Sequence, residues 1–153
     1  MNKPIETNII KRDGSKEPLD INKMHFVVEQ ACEGLTGVSA SQIEMNSHIQ
    51  CTNNMTSKDI QDILIRSAND LITLENPNYQ FAAARLLLWN VYKEVFGQFQ
   101  PKHFVNVIIQ NVKRGVYDKQ VVENYTKTEL KKLNTWIKHD RDLDFTYAGL
   151  RQV

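Results

Sequence analysis

The stretch Ile9-Ile10-Lys11-Arg12-Asp13-Gly14-Ser15, followed by Glu17, Leu19 and Lys23, decides the reading of this chain. An Asp-Gly pair between two short β-prone runs signals a hairpin. Thr7 to Lys11 reads as the first strand, Arg12-Asp13-Gly14-Ser15 as the turn, and Lys16 to Leu19 as the returning strand. Pro18 has no amide hydrogen for a ladder, so the return is expected at a sheet edge or a strand end. Asp20 is a helix N-cap candidate. Ile21, Met24, Val28, Ala31 and Leu35 then follow at helical spacing, and Gly34 and Gly37 punctuate the end. Two cations precede the turn and a third, Lys23, stands one turn into the helix. Two readings are open at this point: edge-strand charges that discourage aggregation, or one wall of a site for a compact polyanion such as a nucleoside triphosphate. A phosphate-to-cation hydrogen bond contributes about 1.5–3 kcal/mol. Three of them, after desolvation and ordering, support roughly micromolar affinity.

Outward from the hairpin the pattern is helical. Ser39 with Gln42 forms a capping-box pattern that opens a second helix through about Gln50. Cys51 to Asn54 reads as a loop, and Thr56 or Ser57 caps a third helix whose face is Ile60, Ile63, Leu64, Ser67, Ala68, Leu71 and Ile72. The start of that helix, at Ser57, offers amide donors and a favourable dipole to an anion. Asn76-Pro77 marks a fourth start, with Asn as cap and Pro at the first helical position. From Tyr79 to Phe96 apolar residues cover most of the circumference, which predicts the central, buried member of a bundle. Lys93, near its end, either counters that helix's dipole or reaches the anion. Gly97 to Pro101 reads as a boundary. Beyond it, Phe104, Val105, Ile108, Ile109 and Val112 form an amphipathic helix ending near Gly115. Thr126 with Glu129 caps another, and a charged, then aromatic, tail runs from His139 to Phe145. The abrupt stop at Val153 suggests a chain that continues.

The composition fits this plan. A chain of 153 residues holds one domain, or one small domain and a piece of another. A net charge of +1 provides no broad basic field, so direct nucleic-acid binding is not expected. No apolar run is long enough for a membrane span, and Lys3, Glu6, Lys11 and Arg12 interrupt any leader-like stretch. Cys32 and Cys51 make neither a CxxC nor a zinc quartet, and read as buried thiols in a reducing compartment. The sequence carries no GxSxG, HExxH or GxxxxGK signature. His25, His48, His103 and His139 are scattered without ligand spacing, so neither a metal site nor a catalytic residue is expected. His139-Asp140-Arg141-Asp142 reads as a solvated loop or an internal ion-pair network.

The residues Ile9-Ile10-Lys11-Arg12-Asp13-Gly14, then Glu17, Leu19, Lys23 and Met24, resemble the opening of an ATP-cone domain. That domain is the regulatory module at the N-terminus of many ribonucleotide reductase large subunits. Ala31-Cys32-Glu33-Gly34-Leu35, Pro77-Asn78-Tyr79-Gln80, Ala83-Ala84-Arg85-Leu86, Gly115-Val116-Tyr117-Asp118 and His139 to Tyr147 look like the aerobic, class I large chain. The likeness covers nearly the whole sequence. It implies a mainly α fold: a four-helix bundle capped by a small β-hairpin or three-stranded sheet over residues 1–97. Residues 98–153 would begin the helical region that precedes a catalytic barrel absent from this sequence.

The resemblance further implies ATP or dATP as allosteric effector, with Mg accompanying the triphosphate. Lys11, Arg12, Lys23 and Lys93 would hold phosphates, with Ser57 where relatives have Thr. Ile9, Glu17, Leu19, Asp20, Met24 and Ile60 would surround base and sugar, Asp20 standing for the usual Asn. Gln61 is counted with the site although many dATP-inhibited relatives carry His there. Asn90 stands for another His and Gln30 for a Trp, which implies that binding survives while inhibition by dATP weakens. The expected partners are the remainder of the large subunit and the radical-generating small subunit in an oligomeric holoenzyme. The expected location is the cytoplasm, the host's for a viral lineage. Reduction itself, which in this family needs a thiyl radical and a reducing cysteine pair, lies outside these residues. A free-standing nucleotide-sensing or interaction module is the alternative. A cone-containing transcription regulator is a third, disfavoured by the missing zinc ribbon.

Overall fold

The structure is a computed structural model that describes residues 7–153. Lys3 and Glu6, named above as interrupting a leader, lie outside the described residues. The chain divides into two compact units. The first comprises residues up to Val91 together with Leu143–Val153, and the second is Tyr92–Asp142.

In the first unit, β1 (Asn8–Ile10) is the middle strand of three. It pairs antiparallel with β2 (Lys16–Pro18), with Ile9 opposite Glu17. The edge position expected from Pro18 is therefore observed. The turn closes one residue earlier than predicted. The Gly14 amide donates to the Lys11 carbonyl at 2.9 Å, and the Lys11 amide donates to Ser15 at 2.8 Å. Gly14 takes φ +84°, where a side chain would be strained. Asp13 fixes the bend by accepting from both the amide and the hydroxyl of Ser15, at 2.9 and 2.6 Å. Those hydrogen bonds hold its carboxyl below the ordinary aspartate range.

The third strand, β3 (Met55–Thr56), is only two residues long and falls where the sequence suggested loop or cap. It runs parallel to β1, with Ile10 opposite Thr56. Asn53 and Asn54 extend this attachment: Asn8 donates to the Asn53 side chain at 2.9 Å, and the Asn54 amide donates to Asn8 at 2.8 Å.

Four helices carry the core. In α1 (Ile21–Cys32) Asp20 is the cap, accepting from the Lys23 amide at 3.2 Å, and Met24, Val28 and Ala31 face inward. The second helix, α2 (Ala40–His48), starts after Ser39 as predicted but without the capping box. A competing group wins. The Ser39 amide donates to the Tyr79 hydroxyl at 3.0 Å, and that hydroxyl donates to Gln42 Oε1 at 2.6 Å. A buried tyrosine bridging both residues does what the box would have done.

Thr56 caps α3 (Ser57–Asn69) with a complete box to Asp59. The fourth helix, α4 (Tyr79–Phe96), begins two residues later than the Asn-Pro signal suggested. The Gln80 and Phe81 amides donate to Pro77 and Asn78 at 3.1 and 3.0 Å, a tighter i→i+3 turn that precedes the α-helix proper. Ile43, Leu64, Ile65, Ala68, Ala82, Ala83 and Leu86 close one core with Ile9, Met24, Val28 and Ile60. Each fully buried large aliphatic side chain contributes about 1.5–3 kcal/mol. The bundle and its β cap match the mainly α expectation. Residues 143–153 return to this unit as α8 (Tyr147–Gln152), a short helix the sequence did not suggest, whose Tyr147 packs on the same core.

The second unit has its own small core of Val105, Ile108 and Leu130. It is built from α5 (Phe104–Lys113), α6 (Gln120–Asn124) and α7 (Lys127–Asn134). The Thr126–Glu129 capping box is formed as predicted. The charged run folds as a 3-10 helix, His139–Asp144, in which Asp142 accepts from the Tyr92 hydroxyl at 2.6 Å and meets His139 Nδ1 at 3.0 Å. Burial and the Asp142 carboxylate push the Tyr92 hydroxyl well above its ordinary pKa. This is the internal network anticipated for that run.

Candidate functional site

Parallel pairing of β1 with β3 sets the geometry. Ile10 is registered with Thr56, so the next residues, Lys11 and Ser57, leave the sheet at the same end. Lys11 and Arg12 enter the hairpin turn there, while Ser57 starts α3. An α-helix leaves its first amides without acceptors along the helix, and its dipole favours negative charge at that end. Two cationic residues and a helix N-terminus thus share one end of a three-stranded sheet.

Thr56, one of the two residues named for the role, is the cap. Its hydroxyl accepts from the Asp59 amide at 3.1 Å and donates to Asp59 Oδ2 at 2.6 Å, while its own amide donates to that oxygen at 2.9 Å. These bonds depress the Asp59 pKa. Ser57 occupies the first helical position and is half-buried.

Lys11, Arg12 and Lys23 each already have an acceptor. Lys11 Nζ lies 2.6 Å from Glu17 Oε2. The contact follows from the register, because Lys11 faces Ser15 while Glu17 faces Ile9, which makes the two diagonal neighbours on one face of the hairpin. The hydrogen bond to Glu17 holds the Lys11 ammonium above its ordinary pKa, so Lys11 is fully charged at neutral pH. Arg12 Nη2 donates to Asn90 Oδ1 at 3.1 Å. Lys23 Nζ is 3.5 Å from Asp20 Oδ2, one turn back on its own helix, and its side chain is otherwise well exposed. Lys93 belongs to the second unit and stands 4.4 Å over the Phe99 ring.

The apolar candidates gather. Ile9, Met24 and Ile60 are each nearly buried within one core cluster, and Leu19 packs against it. Gln61 turns its carboxamide to α4, donating from Nε2 to the Leu86 carbonyl at 3.0 Å. Gln30 is exposed near the end of α1, where its carbonyl accepts from the Glu33 amide. Asn90, which the sequence marked only as a departure, is the acceptor for Arg12, a contact that sequence reasoning missed. Its signal was a polar side chain on a largely apolar helix.

The donors that share the sheet end, Lys11, Arg12 and the start of α3, suit a polyanion, and Lys23 stands at the head of α1. A triphosphate would take Lys11 from Glu17 by exchange rather than meet an uncommitted ammonium. Among the described residues no group of three or more His, Cys, Asp or Glu side chains gathers as a metal site. Cys32 is half-buried, and that burial pushes its thiol up to about 11, while Cys51 is raised for the same reason. Both shifts disfavour the thiolate at neutral pH. A shallow hollow of about 450 Å³ in the second unit, lined by Lys102, His103 and Asn106 among others, includes none of the candidate nucleotide residues. Among the described residues no helix is long and apolar enough to cross a membrane.

Comparison with known proteins identifies the family. The ATP cone domain model matches residues 7–94. The chain is 41% identical over 145 residues to ribonucleoside-diphosphate reductase 1 subunit alpha of Escherichia coli strain K12, covering 95% of this chain and 19% of that protein. It is 37% identical over 146 residues to the reductase subunit alpha of Enterobacteria phage T4, with the same coverage. The Helicobacter pylori subunit alpha is 34% identical over 145 residues, covering 95% of this chain and 18% of that one. The chain thus spans about a fifth of the length of these relatives, in their N-terminal region. With a family match over more than half its length and the hairpin, cap and bundle in place, the chain belongs to the ATP-cone family, as found at the N-terminus of ribonucleoside-diphosphate reductase alpha subunits.

Proposed function

We propose that this chain is the allosteric activity-site region of a ribonucleoside-diphosphate reductase large subunit, binding ATP or dATP to regulate the reduction of ribonucleotides. The observation that carries the reading is the shared sheet end, where Lys11 and Arg12 meet the capped start of α3 within the segment matched by the ATP-cone model. Lys11, Arg12, Lys23 and Ser57 hold phosphates, and Lys93 is the remaining cation assigned by resemblance. Ile9, Leu19, Met24 and Ile60, with Glu17, Asp20 and Gln61, form the base and sugar side. Residues 1–97 are the nucleotide-binding region, and those after 98 lead toward the rest of the large subunit. That remainder and the small subunit are the partners in an oligomeric, cytoplasmic holoenzyme.

Binding proceeds by exchange of acceptors. A phosphate oxygen replaces the Glu17 carboxylate at Lys11, and magnesium travels with the triphosphate. Transmission to inhibition is weak, because Gln61, Asn90 and Gln30 are neutral amides where dATP-inhibited relatives carry His and Trp. Titration calorimetry with ATP tests the site. Wild type takes up nucleotide, and Lys11→Ala binds about tenfold less tightly through loss of one charged contact. An unchanged isotherm would mean that Lys11 holds no phosphate. Strong dATP inhibition of the intact holoenzyme would sink the claim of weak transmission.

A further inference from the structure

Arg12 and Asn90 are 78 positions apart in sequence, yet the Arg12 guanidinium donates to the Asn90 side-chain oxygen at 3.1 Å. Asn90 is 7% exposed, one of only three buried polar residues among the described residues. One helical turn earlier on α4, the Leu86 carbonyl accepts from Gln61 at 3.0 Å. The hairpin and α3 therefore both attach to the same turn of α4 through a carboxamide.

We propose that Asn90 is a positioning residue for the nucleotide site, holding Arg12 in place for phosphate; this rests on the nucleotide-site reading above. An arginine presents five N–H donors in one rigid plane. Anchoring one nitrogen to a neutral acceptor orients that plane and leaves the positive charge intact. A carboxylate at the same place would orient the guanidinium equally well but cancel its charge and repel phosphate. An apolar side chain would leave the guanidinium mobile beside a buried helix. A carboxamide on the buried side of α4 meets both requirements. Because Arg12 sits in the turn and Asn90 in the bundle, the same contact fastens the hairpin to α4.

The test is a double-mutant cycle in the 153-residue chain, comparing wild type, Asn90→Ala, Arg12→Ala and the pair. ATP affinity is measured by calorimetry, and thermal unfolding is followed without nucleotide. Asn90→Ala weakens ATP about fivefold when Arg12 is present. In the Arg12→Ala background the same change alters affinity by less than about twofold, since Asn90 acts through Arg12. Asn90→Asp keeps the hairpin attached, with an unfolding temperature at or above wild type, yet weakens ATP by more than Asn90→Ala. Equal losses in both backgrounds, or wild-type affinity in Asn90→Asp, would overturn the positioning role while leaving the nucleotide site standing. Absence of ATP uptake by wild type overturns both, and thermal coupling between Arg12 and Asn90 would then report a purely structural contact.

Discussion

Removing the Thr56 hydroxyl separates helix-end stabilisation from charge at the site. In Thr56→Ala the Asp59 amide loses its 3.1 Å acceptor, and Asp59 Oδ2 loses the hydroxyl that donates to it at 2.6 Å. Loss of a threonine cap costs about 1 kcal/mol, which for a unit near 100 residues lowers the unfolding temperature by roughly 4–8 °C. The first turn of α3 frays, and its dipole and amides no longer face the Lys11 end of β1. A helix-end contribution of about 1 kcal/mol to a bound anion is lost, or about fivefold in ATP affinity, with no change in side-chain charge. The chain contains its own control. Thr126 and Glu129 form the same box on α7, with distances of 3.2, 2.8 and 2.8 Å, in the other unit. Calorimetric titration below the unfolding range should show the affinity loss in Thr56→Ala and none in Thr126→Ala. Thr56→Ser, which keeps the hydroxyl, should restore both stability and affinity. An equal affinity loss from both alanine variants, or a destabilised Thr56→Ala that binds like wild type, would refute the assignment of α3's start to the anion.

His25 ties α1 to α2 through Glu44 at 2.6 Å, with Glu29 at 3.1 Å, and these carboxylates raise its pKa above the ordinary value of about 6.5. Its contribution is complete below that value and is lost as pH rises through the raised one. Wild type should therefore unfold at a higher temperature than His25→Gln in mild acid, with the gap closing as pH rises through the raised pKa; a gap independent of pH would count against the pairing. Tyr79→Phe removes the hydroxyl that Ser39 and Gln42 share. It should lower the urea midpoint by the equivalent of about 1–3 kcal/mol at unchanged m-value, and an unaltered midpoint would mean the bridge is incidental.

The hairpin, the four main helices, the Thr126–Glu129 box and a cap at Thr56 or Ser57 were legible because they depend on contacts a few residues apart. Asp13 reaches Ser15, Asp20 caps Lys23, and Thr56 closes on Asp59. What the sequence concealed depends on residues far apart. The Ser39–Gln42 box matched its local pattern but was overruled by Tyr79, a competitor some 40 positions away. β3 carries too few residues for a strand pattern, and only its pairing with β1 defines it. The candidate site divides in the same way. Lys11, Arg12 and Lys23 were found from local spacing and resemblance, but their acceptors Glu17, Asn90 and Asp20 came from register, long-range packing and helix geometry respectively. Asn90 was visible only as an oddity until the fold brought Arg12 to it.

The return of residues 143–153 to the first unit bears on how the protein is made. Tyr147 packs against the bundle core only after the entire second unit has been synthesised. On the ribosome the bundle therefore waits, with part of its apolar surface uncovered, while residues 92–142 emerge and form their own small core. Closing so long a segment late is entropically slow. The interval before Tyr147 arrives is when the nascent chain is most exposed to aggregation, and a nucleotide that binds the nearly finished bundle would shorten it by mass action.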